Sequence, residues 1–302
     1  MKMNRSVLSA ALCSALGIGL TAGAVYWFRN RKNQKTQPVE QQEPELAPEQ
    51  KLAKEMPDLI HYDCFRLAVQ PVIQLETGSI VGGEVLSRLS HPDYGIIFPN
   101  KFLPAVEEAG LSSQFDHYIF SKTCDLVKRM VSQNIQLQYL SCNFARSTLS
   151  EKNIVADLCE IAQRYDVGYD RLAVEVTEQE LETDTDLFRQ NLRQLQDLGF
   201  NIFVDDLGTG VTAVRDLWSY PVDVMKLDRS LLQDAETEQG RVTFHGLQNL
   251  ADNMGIKVLC EGVETEEQLQ FVVDTGCDYG QGYLFYRPME EQQFVRLVSK
   301  ED

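Results

Sequence analysis

The segment LAVEVTE, residues 172–178, decides the fold, because it is a short apolar run that ends in acidic residues. Three further segments repeat this pattern: NIFVDD at 201–206, VMKLD at 224–228 and KVLCEG at 257–262. Each run has the length and the apolar or β-branched composition of a buried strand, and longer stretches with helical periodicity separate most of them. Strands and helices that alternate in this way predict βαβ units around a parallel sheet.

The same alternation extends over residues 59–302. The candidate strands are Phe65–Val72, Ile80–Leu86, Leu137–Asn143, Leu172–Val176, Ile202–Asp205, Val222–Leu227, Lys257–Glu261 and Tyr279–Tyr283. The candidate helices are Lys101–Ala109, Asp116–Gln133, Glu151–Tyr165, Asp184–Leu198, Arg241–Met254, Glu266–Thr275 and Glu290–Val298. Eight strands in a region of this length predict one α/β domain with a TIM-like (β/α)8 barrel.

Polar and charged residues fall at the carboxyl ends of five successive predicted strands. They are Asn143, Glu175, Glu178, Asp205, Asp206, Lys226, Asp228 and Glu261. In a barrel these strand ends meet at one rim, where active sites are built. A single acid at a strand end is commonly just solvated, but a ring of like charges needs a compensating cation. Because the ring offers oxygen ligands and no His or Cys, it favours Mg²⁺ or Mn²⁺ over zinc or copper.

Seven short motifs carry a resemblance to a known family. In chain order they are Glu84-Val85-Leu86-Ser87-Arg88, Asn143, Glu175-Val176-Thr177-Glu178, Asp205-Asp206-Leu207-Gly208-Thr209-Gly210, Lys226-Leu227-Asp228, Glu261-Gly262-Val263-Glu264 and Gln281-Gly282-Tyr283. Together they resemble the EAL domain of bacterial cyclic-di-GMP phosphodiesterases, over about residues 59–298. The resemblance implies a modified TIM barrel that hydrolyses one phosphodiester bond of cyclic-di-GMP to linear pGpG. It also implies two divalent metal ions, Mg²⁺ or Mn²⁺, per active site.

The resemblance further implies a role for each residue of the site. The implied metal ligands are Glu84, Asn143, Glu175 and Asp205 for one ion, and Asp205, Asp206 and Glu261 for the other. The implied catalytic residues are Lys226, which orients the attacking water or neutralises charge on the phosphoryl oxygens, Glu261, and Glu178, which supports the loop after Asp206. The implied substrate-binding residues are Arg88, which binds phosphate, together with Gln281, Glu84 and Leu86.

The sequence departs from the family pattern beside this site. Val85 stands at the family's name-giving alanine, Leu207 replaces a usual aromatic residue, and residues 211–214 are atypical. An alternative function therefore stays open, that of a catalytically weak or inactive EAL domain that acts as a membrane-tethered cyclic-di-GMP receptor. A third possibility is a scaffold that neither binds nor cleaves the nucleotide, although a scaffold gains nothing from a repelling acidic ring.

The N-terminal segment Val7–Phe28 contains no charged residue and is long enough to cross a bilayer as a helix. Basic residues are more numerous at 29–35 than before the segment, which favours a single-pass protein of the bacterial inner membrane with its EAL domain in the cytoplasm. The small residues at 22–24 leave open a cleaved signal peptide instead. Gly19 and Gly23 form a GxxxG motif that suits close packing of two such helices.

Between the anchor, residues 1–32, and the barrel lies a polar segment, residues 33–58, rich in Gln, Glu, Lys and Pro. Its composition predicts a flexible linker, because its four prolines interrupt helices and it has little apolar surface to bury.

The charge balance restricts the class of partner. The chain has 28 Lys and Arg against 45 Asp and Glu, a formal net charge of −17, which disfavours polymeric nucleic acid as a ligand. Its seven cysteines and four histidines lack the spacing of zinc sites. The expected partners are cyclic-di-GMP, the membrane and a second copy of this chain, since dimers are common in the family that the motifs resemble.

Overall fold

A computed structural model of the chain describes residues 48–178, 181, 186–207 and 219–299. Within these residues a closed barrel of eight strands forms, with strand order β1-β9-β8-β7-β6-β5-β4-β2 and a β1–β2 pairing that completes the ring. Two short strands, β3 and β10, extend the sheet at β2 and β1. The strands are β1 Phe65–Gln74, β2 Ile80–His91, β3 Gly95–Ile97, β4 Tyr139–Asn143, β5 Leu172–Thr177, β6 Asn201–Leu207, β7 Val224–Leu227, β8 Lys257–Cys260, β9 Tyr279–Gly280 and β10 Met289–Glu290.

One helix of the described residues precedes the first strand, and the others lie between or after the strands along the chain. They are α1 Pro48–His61, α2 Pro99–Glu108, α3 Ser112–Ser132, α4 Arg146–Leu149, α5 Ile154–Arg164, α6 Asp186–Asp197, α7 Arg229–Asp234, α8 Glu238–Met254, α9 Glu266–Thr275 and α10 Glu291–Val298. The eight predicted barrel strands are confirmed, and each predicted helix overlaps an observed one. The short helices α4 and α7 and the helix α1 were not predicted.

The first strand corrects the prediction of a wholly parallel sheet. Strand β1 runs antiparallel to β9, with Ile73 opposite Gly280, whereas β2 and β4 to β9 pair in parallel. The cause is the short connection to β2, in which the Gln74 N–H donates to the Ser79 carbonyl at 2.9 Å. A connection of this length closes a hairpin, whereas a parallel crossover needs about a dozen residues.

One apolar layer fills the barrel and sets the level of the polar site. It takes one residue from each barrel strand, namely Val72, Val81, Tyr139, Ala173, Phe203, Val224, Leu259 and Tyr279. Because side chains alternate along a strand, the residue two positions later points to the same interior. On β5 and β6 these next residues are Glu175 and Asp205, which lie toward the carboxyl ends of the strands. The polar side chains therefore lie next to the apolar layer, on its side toward the carboxyl ends of the strands.

Helix α1 corrects the predicted linker. Residues 48–58, assigned to a flexible segment, are helical, and Pro57 lies inside the helix. Leu52, Met56 and Leu59 are buried at helical spacing. This burial stabilises the helix despite the proline, and the folded region therefore begins about ten residues before the predicted boundary at residue 59.

The described residues form two compact units: residues 48–66 with 87–111, and residues 67–86 with 112–299. In the smaller unit, His91 Nε2 lies 3.0 Å from Glu55 Oε2, and the rings of Phe65 and Phe102 meet edge-on at 5.2 Å. The larger unit contains the acidic residues of the predicted site.

Among the described residues, no helix is both long and apolar enough to cross a bilayer. The predicted anchor, Val7–Phe28, lies outside the described residues, as do residues 208–218 of the atypical loop.

Candidate active site

Seven strands deliver polar side chains to one end of the barrel. Strands β2, β5 and β7 contribute Glu84, Glu175 and Lys226 from within the strand. The other contributors lie at or directly after a strand end: Asn143 on β4, Asp205 and Asp206 on β6, Glu261 after β8 and Gln281 after β9. The structure thus brings together residues that are up to 197 positions apart in sequence.

The ammonium group of Lys226 is the centre of the cluster and is completely buried. Its Nζ lies 2.9 Å from Glu261 Oε1, 3.0 Å from Asp205 Oδ2, 3.3 Å from Glu84 Oε2 and 3.5 Å from Glu175 Oε1. One cation is therefore shared by four carboxylates. Because it offers at most one positive charge, it leaves the ring with an excess of negative charge when the acids are ionised.

The carboxylates form two groups that meet at Asp205. Glu84, Glu175 and Asp205 offer one set of oxygens, and Asp205, Asp206 and Glu261 offer the other; within each set the oxygens lie within 4.8 Å of one another. They are the acidic members of the two sets that the resemblance implies for two metal ions, the first of which also includes Asn143. Their geometry suits a carboxylate that bridges two cations, although the role of each residue stays a prediction.

Two amide side chains orient Glu84. Asn143 Nδ2 donates to Glu84 Oε1 at 3.3 Å, and Gln281 Nε2 donates to Glu84 Oε2 at 3.0 Å. Both carboxylate oxygens of Glu84 are thus held by donors. The amide oxygen of Gln281, Oε1, is buried and accepts no hydrogen bond from the described residues.

An irregularity in β6 turns two successive acids toward the site. The pairing of β6 with β7 shifts register between Val204 and Leu207, and Asp206 between them has a φ of +58°. The Asp206 N–H donates to Asp205 Oδ1 at 2.8 Å. A left-handed backbone is unusual for a residue other than glycine, and bulges of this kind re-aim side chains beside active sites. The irregularity explains how neighbours in sequence can both belong to one cation site.

Burial changes the protonation of the acids. Loss of solvent raises the pKa of Glu175 well above its ordinary value and raises the pKa of Glu261 to about 8, although Lys226 opposes both shifts. Burial together with the charge of Asp205 raises the pKa of Asp206. Burial alone would lower the pKa of Lys226, but Asp205, Glu175 and the other carboxylates hold it well above the usual range. Lys226 is therefore protonated near neutral pH.

The donor set fits hard divalent cations. Both carboxylate oxygens of Glu175 are buried and accept no hydrogen bond from the described residues, and their contact with Lys226 is long at 3.5 Å. Buried carboxylate oxygens without hydrogen bonds are costly unless a cation binds them. An all-oxygen set of this kind is typical of Mg²⁺ and Mn²⁺ sites.

An open pocket of about 280 Å³ adjoins the cluster. Its walls are Gln70, Glu84, Leu86, Asp205, Arg229, Glu261, Gly262, Glu264, Gln281, Gly282 and Tyr283. Among them Tyr283 is half exposed, and the Arg287 guanidinium lies 4.1 Å from the centre of its ring. Arg229 binds Glu264 through two contacts of 3.0 and 3.2 Å.

The remaining predicted residues lie as follows. Leu86 lines the pocket, and Glu178 is buried directly after β5. Arg88 belongs to the smaller unit, where its Nη1 donates to the Ser87 carbonyl at 2.9 Å and its guanidinium lies 5.0 Å from the centre of the Phe98 ring. Its role in binding phosphate stays a prediction.

Besides two glycines, sequence reasoning missed four residues of the pocket wall, which are Gln70, Arg229, Glu264 and Tyr283. A signal existed for two of them, because Glu264 and Tyr283 lie within the motifs Glu261-Gly262-Val263-Glu264 and Gln281-Gly282-Tyr283. Gln70 and Arg229 stand outside any motif that marks the site.

Comparison with known proteins agrees with the geometry. The EAL domain family matches residues 53–288. The chain is 30% identical over 236 residues to cyclic di-GMP phosphodiesterase RocR of Pseudomonas aeruginosa, covering 78% of this chain and 60% of that protein. It is 29% identical to the oxygen sensor protein DosP of Escherichia coli, covering 82% of this chain and 31% of that protein. The chain thus spans less than two thirds of these relatives.

Two solved structures also resemble the fold. One is the phosphodiesterase PaMucR in complex with c-di-GMP, with a TM-score of 0.76, 27% identity and coverage of 81% of this chain and 99% of that one. The other is the EAL enzyme Bd1971 bound to cAMP and cyclic-di-GMP, with a TM-score of 0.78, 25% identity and coverage of 90% and 72%.

Proposed function

Because the chain belongs to the EAL domain family, we propose that it hydrolyses one phosphodiester bond of cyclic-di-GMP to linear pGpG and so lowers the level of this second messenger. The observation that carries the proposal is the pair of acidic groups that share Asp205 beside an open pocket. The names of RocR and PaMucR, which describe a cyclic-di-GMP phosphodiesterase and a phosphodiesterase bound to c-di-GMP, support it.

Two divalent cations, Mg²⁺ or Mn²⁺, complete the proposed site. Glu84, Asn143, Glu175 and Asp205 would hold one, and Asp205, Asp206 and Glu261 the other. When bound, such a pair polarises the phosphate and lowers the pKa of a water molecule. The ions also satisfy the negative charge that Lys226 leaves uncompensated.

The protein's own residues supply the rest of the chemistry. In the metal-free protein Lys226 is protonated, because the surrounding carboxylates hold its pKa well above the usual range, and it is therefore available as a hydrogen-bond donor and positive charge. Gln281 and Asn143 hold Glu84 in one orientation. Leu86 and Tyr283 give the pocket an apolar and aromatic wall, which suits a nucleotide whose bases have apolar faces. The resemblance assigns phosphate binding to Arg88, whose planar cation can match two phosphate oxygens, and this role stays a prediction.

The direct test uses the full chain, purified in detergent and stripped of metal. We expect it to convert cyclic-di-GMP to pGpG, resolved by chromatography, after addition of Mg²⁺ or Mn²⁺ and not in EDTA. Folded protein that yields no pGpG with either ion would contradict the enzymatic proposal. If calorimetry then shows that the protein binds cyclic-di-GMP tightly without turnover, the receptor function replaces it.

The same proposal places the enzyme at the bacterial inner membrane, with the EAL domain in the cytoplasm. It rests on the uncharged segment Val7–Phe28 and on the basic residues at 29–35. Fractionation of cells and a reporter fused to the C-terminus test both location and orientation. A processed N-terminus beginning near residue 25, found by mass spectrometry, would instead establish a cleaved signal peptide.

A homodimer is the proposed assembly. The GxxxG motif of Gly19 and Gly23 supports contact between two membrane helices. The mass of the purified protein, measured by light scattering with detergent subtracted, tests it; a monomer at micromolar concentration would contradict it.

A further inference from the structure

Helix α4, Arg146–Leu149, is only four residues long, and Phe144 and Ala145 join it to the predicted metal ligand Asn143. A helix of this length has almost no stability of its own, because the cost of nucleation exceeds the gain from its few hydrogen bonds. Its position must therefore be fixed by neighbouring elements. The same contacts then fix the turn that joins it to Asn143.

A buried side chain on α3 fixes the start of this helix. The Oδ2 atom of Asp116 accepts the Ala145 N–H at 2.9 Å and the Thr148 hydroxyl at 2.6 Å. Ala145 occupies the N-cap position of α4 and has no side-chain group that could cap it. Asp116, which is 7% exposed and 29 positions earlier in the chain, thus caps α4 from a different helix.

The strand before the turn is also fixed. The Phe144 N–H donates to the Glu175 carbonyl at 3.1 Å, and the thiol of Cys142 donates to Thr123 Oγ1 on α3 at 3.1 Å. Asn143 therefore lies between two anchored neighbours, and its own side chain reaches Glu84 Oε1 at 3.3 Å. Beyond Phe144, Asp116 holds the chain on the C-terminal side of Asn143 through the Ala145 N–H.

We infer that Asp116 is a positioning residue for the metal site: by capping α4 it places the Asn143 side chain where it can bind a cation beside Glu84. The inference rests on the proposed function only in that Asn143 is taken as a metal ligand. It concerns binding of the metal, and it does not require that cyclic-di-GMP be the substrate.

Asn191 on α6 supplies the matched control. It is also buried, and its Nδ2 donates to the Leu149 and Glu151 carbonyls at 2.7 and 2.9 Å, at the far end of α4. Asn191→Ala thus removes one hydrogen bond to the last residue of α4 and one to the turn that follows it, without releasing Ala145. A residue that acts through overall stability alone would affect metal binding no more than this variant does.

The experiment measures Mn²⁺ binding by titration calorimetry on the full chain after removal of metal. Asp116→Ala should weaken binding about 10- to 100-fold, as loss of a residue that orients a ligand typically does. Asp116→Asn should stay within about threefold of the wild type, because both contacts use a single oxygen and an amide oxygen can accept two hydrogen bonds. Asn191→Ala should stay within about threefold as well, with a loss of thermal stability similar to that of Asp116→Ala.

A double-mutant cycle with Asn143→Ala gives the decisive comparison. If Asp116 acts through Asn143, then Asp116→Ala has little further effect on Mn²⁺ affinity once Asn143 is gone. Equal losses in both backgrounds would overturn the inference, as would unchanged affinity in Asn143→Ala or in folded Asp116→Ala. The variants could show the expected pattern of Mn²⁺ affinities while the wild-type chain does not hydrolyse cyclic-di-GMP. This result would refute the proposed function and leave the inference standing.

Discussion

Lys226 Nζ lies 2.9 Å from Glu261 Oε1, and this is the shortest of the four contacts that the buried ammonium makes with carboxylates. The two residues come from neighbouring strands, since Lys226 pairs with Leu259 across β7 and β8. This contact places the shared ammonium beside the acidic residues at the carboxyl end of the barrel.

Removing this cation should destabilise the metal-free protein. We expect Lys226→Met to lower the free energy of unfolding by about 3–5 kcal/mol in EDTA, because four buried carboxylates lose their shared partner. Saturating Mg²⁺ should recover much of this loss. Urea unfolding with and without Mg²⁺ measures both effects. The control is Lys257→Met, whose exposed ion pair with Asp278 should contribute no more than about 1 kcal/mol. A Lys226 variant as stable as wild type in EDTA would contradict the counter-ion role.

The shared carboxylate should be indispensable for turnover. Asp205→Asn removes charge from both acidic groups at once, and we expect pGpG formation to fall by more than about 100-fold. The rate of pGpG formation at saturating Mn²⁺ is the measurement. Asp197→Asn, the same change on an exposed residue at the end of α6, should leave the rate unchanged. Comparable rates in the two variants would refute a site with a bridging aspartate.

Metal affinity should depend on pH through Glu261. The pKa of this carboxyl is raised from 4.5 to about 8 in the metal-free protein, so that below pH 8 a proton occupies it and must leave when a cation binds. Apparent Mg²⁺ affinity should therefore increase with pH, by at most about tenfold per unit for one proton, and level off above about pH 8. Calorimetry between pH 6 and 9 measures the slope. Glu261→Gln should bind more weakly with a shallower slope, and an equally steep slope in this variant would assign the proton to another group.

Loss of the Glu178 side chain should lower the turnover rate while leaving the barrel folded. It is buried after β5, and the resemblance assigns it to the loop after Asp206. We expect Glu178→Ala to reduce turnover about ten- to hundredfold through misplacement of that loop. Circular dichroism and the unfolding midpoint report whether the barrel is intact. Glu178→Gln, which keeps the shape of the side chain, separates the need for charge from the need for packing. Full activity in both folded variants would exclude a role for this residue.

The barrel and the level of its polar residues could be predicted from the sequence. Strand β5 is predicted at Leu172–Val176 and observed at Leu172–Thr177. The prediction succeeds because a short apolar run between polar segments is typical of a buried strand. Their position at the carboxyl ends of predicted barrel strands then placed Glu175 and Asp205 at one rim. Their assignment to particular ions came from the resemblance alone.

The misses have identifiable physical causes. Helix α1 was hidden by Pro48 and Pro57, yet Leu52, Met56 and Leu59 had the spacing of a buried face. The short connection between β1 and β2, which ends near Ser79, indicates that β1 runs antiparallel. The composition of the strand carries no information about its direction.

Tertiary contacts explain the remaining misses. Arg229 and Gln70 reach the pocket through the closure of the barrel, and a short-range pattern does not encode that proximity. The cap that Asp116 provides to α4 likewise joins residues 29 positions apart.

Because of the buried lysine, folding of the protein should depend less on bound metal than its proposed activity does. Since the internal cation partly balances the acids, we expect the barrel to stay folded without an external ion. If the proposed hydrolysis holds, a cell starved of magnesium and manganese would then lose this activity without losing the protein to proteolysis, and resupply would restore hydrolysis without new synthesis.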